Sequence, residues 1–251
     1  MHPRYQQLLV TRYNVAFEAA IDAGIDPFSS NWMQHRDALF RRYCVACVQN
    51  QGDRSFDWFV MFHPETPREY FEFLGGAAIV ILARTTNEAI EIIQRKHIHS
   101  DIVVASRVDN DDAIAPDFMR QVRIAVDRAL HREFAGGQDF GVSFRNGIVA
   151  HAPSQKWRPR SAASVPFLTL VEHLPAGKGW LSPLGINHNE AADRFPVITV
   201  DNKEPMWACV VHERNVSNRV LWEAPLASDR KLRSSPRRFS RFRHWARFSW
   251  C

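Results

Sequence analysis

Between Ile102 and Phe118 the chain reads IVVASRVDNDDAIAPDF, and no other stretch limits the possible folds as strongly. Ile102, Val103, Val104 and Ala105 form a short run of β-favouring or small apolar residues. It passes through Ser106, Arg107 and Val108 into four consecutive carboxylate or carboxamide side chains, Asp109, Asn110, Asp111 and Asp112. This pattern predicts a buried strand with an acidic tip. Pro116 followed by Asp117 predicts a helix start, with Phe118, Val122, Ile124, Ala125 and Leu130 turned inward. The acidic residues would then stand at the carboxyl end of a strand, where open α/β sheets place their ligands.

Packing gains nothing from holding Asp109, Asp111 and Asp112 together, because like charges repel. A hard divalent cation with oxygen ligands relieves that repulsion, and Mg²⁺ or Mn²⁺ shared with a diphosphate needs only one or two protein carboxylates. Asp109 and Asp111, spaced as Asp-x-Asp, are the strongest chemical signal in the chain. A solvated acidic turn is the competing reading. A calcium loop is excluded, since counting from Asp109 the sixth position is Ile114 in place of Gly and the twelfth is Arg120 in place of Glu.

This segment resembles the DxD signature of GT-A glycosyltransferases, and the wider pattern resembles the rhamnosyltransferase family of bacteria. The matching pieces are LLVTRYNV at 8–15, W-x3-R-x2-LF at Trp32 to Phe40, FDWFVMF at 56–62, SRVDNDDA at 106–113, PFLTLVE at 166–172 and WACVVHERNVSN at 207–218. They occur in order across residues 5–222. The resemblance implies a GT-A-like α/β fold, with a mostly parallel Rossmann-like sheet, helices on both faces and a smaller irregular acceptor-side region. It also implies metal-dependent transfer of a sugar, rhamnose by the family's name, from a nucleotide-diphosphate donor to a glycan or lipid-linked acceptor.

Residue roles follow from the same resemblance. Thr11 and Arg12 would help hold the nucleotide. Asp111 would bind Mn²⁺ or Mg²⁺, Asp109 the ribose or a metal water, Asp112 would orient the pair, and His212 would add a metal ligand. Arg107 and Arg214 could offset charge on the leaving diphosphate. An inverting transfer needs a general base, for which Glu172 is the first choice, with Asp193 and Glu190 behind it. His63 stands where related enzymes place an acidic residue for the nucleobase. A metal-dependent nucleotidyl- or phosphotransferase would use the same acidic tip, although neither GxxxxGK[ST] nor GxGxxG is present.

The elements should alternate. Strands are expected at Leu8–Val15, Asp57–Phe62, Ala77–Leu82, Phe140–Ala150, Val165–Glu172 and Trp207–Val211. Helices are expected from Trp32 to Val48, briefly over Glu69–Phe73, from Thr86 or Asn87 to Lys96, and to about His131. Such alternation predicts a parallel sheet with helices on both faces. Pro153–Ser164 reads as a basic loop and residues 174–204 as irregular. Cys44 and Cys47, with no second pair at zinc-ribbon spacing, read as small apolar residues on a packed helix face.

The 251 residues allow one sizeable core, and no apolar run reaches the length of a membrane span. The opening MHPRYQQLLVTRYNV lacks the features of a secretory signal, which predicts a cytoplasmic protein. A single domain is expected over 1–227, with a nucleotide-binding part at about 5–131 and an acceptor-side part at about 140–227. Residues 228–251 form a basic tail, in which eight Lys or Arg face Asp229 alone, so the net charge of +5 comes from the tail. Phe239, Phe242, Trp245 and Phe248 recur every third residue among its arginines. A segment of that kind suits an anionic membrane surface at the inner face of the membrane. No specific nucleic-acid partner is expected, and a binding protein working through this tail is the non-enzymatic alternative.

Overall fold

A computed structural model describes residues 5–15, 24, 26–134, 136–162, 165–215 and 249–250. Strand β1 (Gln6–Arg12) lies between β2 (Asp57–Phe62) and β4 (Ile102–Arg107), parallel to both, and β3 (Ile79–Leu82) lies parallel outside β2. Leu8, Leu9 and Val10 are fully buried, as expected of a central parallel strand covered on both faces.

Beyond β4 the direction changes. β9 (Thr169–His173) runs antiparallel to both β4 and β6 (Phe140–Phe144), and β10 (Val197–Val200) pairs with β6 in parallel. The resulting sheet has seven strands in the order β10-β6-β9-β4-β1-β2-β3. The chain builds outward from β1 through β2 to β3 and then returns to the other side of β1 as β4. The carboxyl ends of β1 and β4 therefore flank the topological switch point, where such sheets form a crevice.

Leu9, Tyr13, Val104 and Val108 face one core. They meet helix α1 (Ser30–Leu39), its π-helical continuation Phe40–Val45, helix α2 (Ala46–Gln49) and helix α4 (Phe118–Arg132). Leu8, Val10, Val103 and Ala105 face the other core, with helix α3 (Thr86–His97), Trp180 and Leu184. Helix α3 starts cleanly because Thr85 Oγ1 accepts a 3.1 Å hydrogen bond from the Glu88 N–H while Glu88 Oε2 accepts one of 2.7 Å from the Arg84 N–H. The mixed α/β, Rossmann-like sheet with flanking helices is the expected fold class.

A second sheet of five strands packs beside the first, in the order β12 (Ser249–Trp250), β8 (Lys156–Ser161), β7 (Asn146–His151), β11 (Trp207–Val211) and β5 (Ala113–Ile114). β5 (Ala113–Ile114) follows the acidic residues directly and pairs antiparallel with β11 (Trp207–Val211). The Asp109–Asp112 turn thus carries the chain from one sheet to the other, and this pairing brings the residues after β11 to the turn.

Several sequence expectations need correction. Phe140–Ala150 is two strands in two sheets: β6 ends at Phe144, and β7 (Asn146–His151) belongs to the second sheet. Pro153–Ser164 contains β8 (Lys156–Ser161), antiparallel to β7. Residues 174–204 contain helix α5 (Ala191–Arg194) as well as β10. Glu69–Phe73 is replaced by two 3₁₀ turns, Arg68–Tyr70 and Glu72–Ala77. Ile124, expected inward, is 43% exposed.

Cys44 and Cys47 are buried free thiols on the helix face, as expected. Of the basic tail, only β12 (Ser249–Trp250) is described, paired in parallel with β8; the rest lies outside the described residues. No helix among the described residues is long and apolar enough to cross a membrane.

Candidate functional site

The acidic turn folds back on itself through a 3.1 Å hydrogen bond from the Asp112 N–H to the Asp109 carbonyl. Its four side chains then take different environments. Asp111 is buried, and its Oδ2 accepts from three N–H donors. One is the Arg36 guanidinium from α1, the second is His212 Nε2 at 2.9 Å, and the third is Asn215 Nδ2 at 3.4 Å. Burial alone would raise the Asp111 carboxyl, but Arg36 and His212 hold it well below the usual carboxylate range. The expected meeting of Asp111 with His212, 101 residues away, is therefore present.

Asp112 points the other way. It is fully buried, and its Oδ1 accepts a 2.7 Å hydrogen bond from the Val210 N–H while no hydrogen bond reaches Oδ2. Burial, and then the charges of Asp111 and Asp109, push its carboxyl well above the usual range. That shift favours the neutral acid, and through Oδ1 Asp112 fastens the turn to β11.

Asp109 is half-buried at the crevice, near Arg12 at the end of β1. Burial lowers the basicity of the Arg12 guanidinium, Asp109 works against that shift, and Arg107 adds to it. Arg107 itself is committed to backbone. Its Nε donates to the Pro166 carbonyl at 2.5 Å and its Nη1 to the Pro183 carbonyl at 3.2 Å. Its Nη2 lies 3.4 Å from His188 Nδ1. Arg107 thereby holds the 183–188 segment over the end of β4, next to Arg12 and Asp109.

Three predicted residues are placed elsewhere. Thr11 is fully buried on the core side of β1, where its Oγ1 accepts a 3.0 Å hydrogen bond from Trp58 Nε1, so it faces away from the crevice occupied by Arg12. The alternation of side chains along a strand makes this unavoidable for consecutive residues. Glu172 sits beside Val103 in the antiparallel β4–β9 ladder, near the start of β4 and away from its acidic end. Its carboxyl oxygens accept from the N–H groups of Leu181 at 2.8 Å and Ser182 at 3.1 Å, a structural duty. Arg214 donates to the Asn31 carbonyl and to Asn31 Oδ1, both at 3.1 Å, and so braces the first turn of α1. Asp193 is exposed on α5, whose Ala191 packs on Leu168, Leu170 and Ile186. Leu168 accepts from the Arg107 N–H, so α5 lies at the same end of the sheet as the acidic turn.

As arranged, these donors do not fit a divalent ion. Asp111 Oδ2 is surrounded by N–H groups, and Asp112 is turned toward β11, where its Oδ1 is taken by the Val210 N–H. The backbone N–H of Arg214 lies 3.2 Å from His212 Nδ1 and can only donate. Nδ1 is therefore the bare nitrogen of His212, and Nε2 bears hydrogen. Among the described residues no group of three or more His, Cys, Asp and Glu is placed to hold a metal ion.

Four further residues complete the turn's surroundings without a role expected from sequence: Arg36, Asn110, His35 and Asn215. Asn110 accepts from Arg36 Nη1 at 3.1 Å and donates to the Tyr13 carbonyl at 2.7 Å, which ties the ends of β1 and β4. His35 Nε2 lies 3.3 Å from His212 Nδ1. Asn215 accepts from the His212 N–H at 2.5 Å and closes the turn after β11. A signal for Arg36 was present: it stands three residues from both Met33 and Leu39, so helical spacing puts a charge on the buried face.

No curated protein matches the chain in sequence. Among solved structures, it is similar to a "putative nucleotide-diphospho-sugar transferase" from Desulfovibrio desulfuricans G20, with 13% identity over 97% of this chain and 93% of that one and a TM-score of 0.42. It is also similar to S. aureus TarS, with 10% identity over 87% of this chain and 38% of that one and a TM-score of 0.45. A TarS 1–349 structure in complex with UDP gives 10% identity over 83% of this chain and 60% of that one, again with a TM-score of 0.45. The family described as "Putative rhamnosyl transferase" matches residues 12–224, a span that takes in Arg12, the acidic turn and His212, and the chain belongs to that family.

Proposed function

We propose that this protein transfers a sugar, rhamnose by its family's description, from a nucleotide-diphosphate donor to a saccharide or lipid-linked saccharide acceptor. The observation that carries the reading is the switch point itself, where half-buried Arg12 and Asp109 stand at the carboxyl ends of β1 and β4, close enough for the Asp109 charge to act on the Arg12 guanidinium. A guanidinium there suits phosphate oxygens, and a carboxylate beside it suits a ribose hydroxyl.

Transfer develops charge on the departing diphosphate as the glycosidic carbon loses its oxygen. Arg12 offsets that charge directly. Arg107 adds positive potential from beneath the 183–188 segment, whose position it fixes. Asp193, exposed at the same end of the sheet, is the carboxylate we assign to take the proton of the acceptor hydroxyl. Glu172, whose oxygens are held by the Leu181 and Ser182 N–H groups, is not assigned that role.

A panel of dTDP-, UDP- and GDP-sugars tests the proposal by thermal shift, followed by assay of donor turnover. One sugar nucleotide should raise the melting temperature by mass action and be turned over. Arg12→Ala should lose at least tenfold in donor affinity while melting near the wild type. Failure of every sugar nucleotide to stabilise the protein would reject the proposal.

A further inference from the structure

The W-x3-R-x2-LF segment contributes a side chain that the transfer chemistry above leaves unused. Arg36 is 8% exposed on the inward face of α1, close to Asp111 at the end of β4. Its Nη1 donates to both Asn110 Oδ1 and Asp111 Oδ2, and its guanidinium carbon lies 5.3 Å from the centre of the Trp32 ring. A buried guanidinium held by two side chains of one turn is a built component of that turn, since an unpaired cation could not be kept out of water.

We propose that Arg36 is the resident cation of the acidic turn, doing for Asp111 what a divalent ion would do, and that the turn is complete without metal. Three observations converge on this. Asp111 Oδ2 is taken by N–H donors from Arg36, His212 and Asn215. His212 presents Nε2 with its hydrogen toward Asp111, because Nδ1 faces the Arg214 N–H. Asp112 spends an oxygen on β11, which leaves Asp109 as the one half-exposed carboxylate of the turn. The nucleotide-diphosphate part rests on the function proposed above; the Arg36–Asp111 pair does not.

Titration of the full chain with MnCl₂, followed by the electron paramagnetic resonance signal of free aqueous Mn²⁺, tests the pair without any nucleotide. Wild type should leave that signal undiminished up to about 1 mM Mn²⁺, whereas Arg36→Met, which exposes Asp111 to a cation vacancy, should bind Mn²⁺ at least tenfold more tightly. Arg36→Met combined with Asp111→Asn should lose the acquired binding and recover melting temperature relative to Arg36→Met alone. If Arg36→Met does not fold, Asp111→Asn decides alone, since by this proposal it leaves Mn²⁺ behaviour unchanged. Micromolar capture of Mn²⁺ by wild type, abolished in Asp111→Asn, would overturn the proposal.

The second arm measures UDP and dTDP binding in EDTA and in MnCl₂. Affinities within about threefold are expected, and tightening of tenfold or more by Mn²⁺ would overturn the metal-free reading. Absence of binding under both conditions would reject the transferase reading while the Mn²⁺ titration still decides the role of Arg36.

Discussion

Asp112 and Val210 share a 2.7 Å hydrogen bond, carboxyl oxygen to backbone N–H, that fixes the acidic turn against the second sheet. Because burial pushes this carboxyl well above the usual range and so favours its neutral form, Asp112→Asn should preserve both shape and charge. The variant should unfold within about 1 kcal/mol of wild type in urea, whereas Asp112→Leu, which strands the Val210 N–H, should cost about 1–3 kcal/mol. Loss of stability in the Asn variant comparable to that in the Leu variant would contradict a neutral Asp112.

Gly147 on β7 lies under the indole of Trp207 on β11. A Cβ at position 147 would stand 2.0 Å from Trp207 Cδ2, in the closely packed second sheet. Gly147→Ala should cost about 3 kcal/mol or more, as overpacking of a tight core does. Gly76→Ala, where a Cβ meets nothing within 4 Å, is the control and should be close to neutral. Equilibrium denaturation of the two variants makes the comparison.

Thr11 accepts from the Trp58 indole in the core and does not reach the crevice. Thr11→Val keeps the volume but leaves the indole N–H unpaired, so stability should fall by about 1–3 kcal/mol. Donor affinity, measured by calorimetry below the melting transition, should stay at the wild-type value. A selective loss of affinity would return Thr11 to the binding site.

Glu172 and His188 make opposite contributions to the dependence of stability on pH. Burial raises the Glu172 carboxyl to about 7, so the folded chain holds a proton that the unfolded chain releases above about 4.5. Stability from this group falls as pH rises from about 4.5 to 7, by about 3 kcal/mol in all. Burial and the Arg107 charge lower His188 to about 4, so the unfolded chain is the better proton acceptor below 6.5. Stability from His188 rises over pH 4 to 6.5. The two slopes oppose each other in wild type, and Glu172→Gln should unmask a rise in stability with pH, measured by urea denaturation at a series of pH values. A flat or falling profile in that variant would refute the assignment.

The parallel half of the first sheet was legible in the sequence because its signals are local. Asp57–Phe62 and Trp207–Val211 are apolar runs bounded by turn residues, and their limits coincide with β2 and β11. The acidic turn was legible for the same reason. What lay out of reach was pairing between distant segments. Nothing local says that PFLTLVE enters antiparallel to β4, yet that orientation alone carries Glu172 to the far end of the sheet. Nor does local pattern reveal that Arg36 and Asp111, 75 residues apart, neutralise each other. Thr11 and Arg12 show the limit at single-residue scale: adjacent polar residues at a strand end face opposite sides, and only the packing of Trp58 and the Phe40–Val45 segment on β1 decides which side is core.

The crossing at Arg145 bears on how this chain can be cut and recombined. Its N–H donates to the Val200 carbonyl at 3.0 Å in the first sheet, and its carbonyl accepts from the Ala162 N–H at 2.9 Å beside the second. A chimera joined between Phe140 and His151 would graft half of one ladder and half of another from different parents. The exposed 136–138 segment before β6 is the better seam, because exchange there passes both ladders on together.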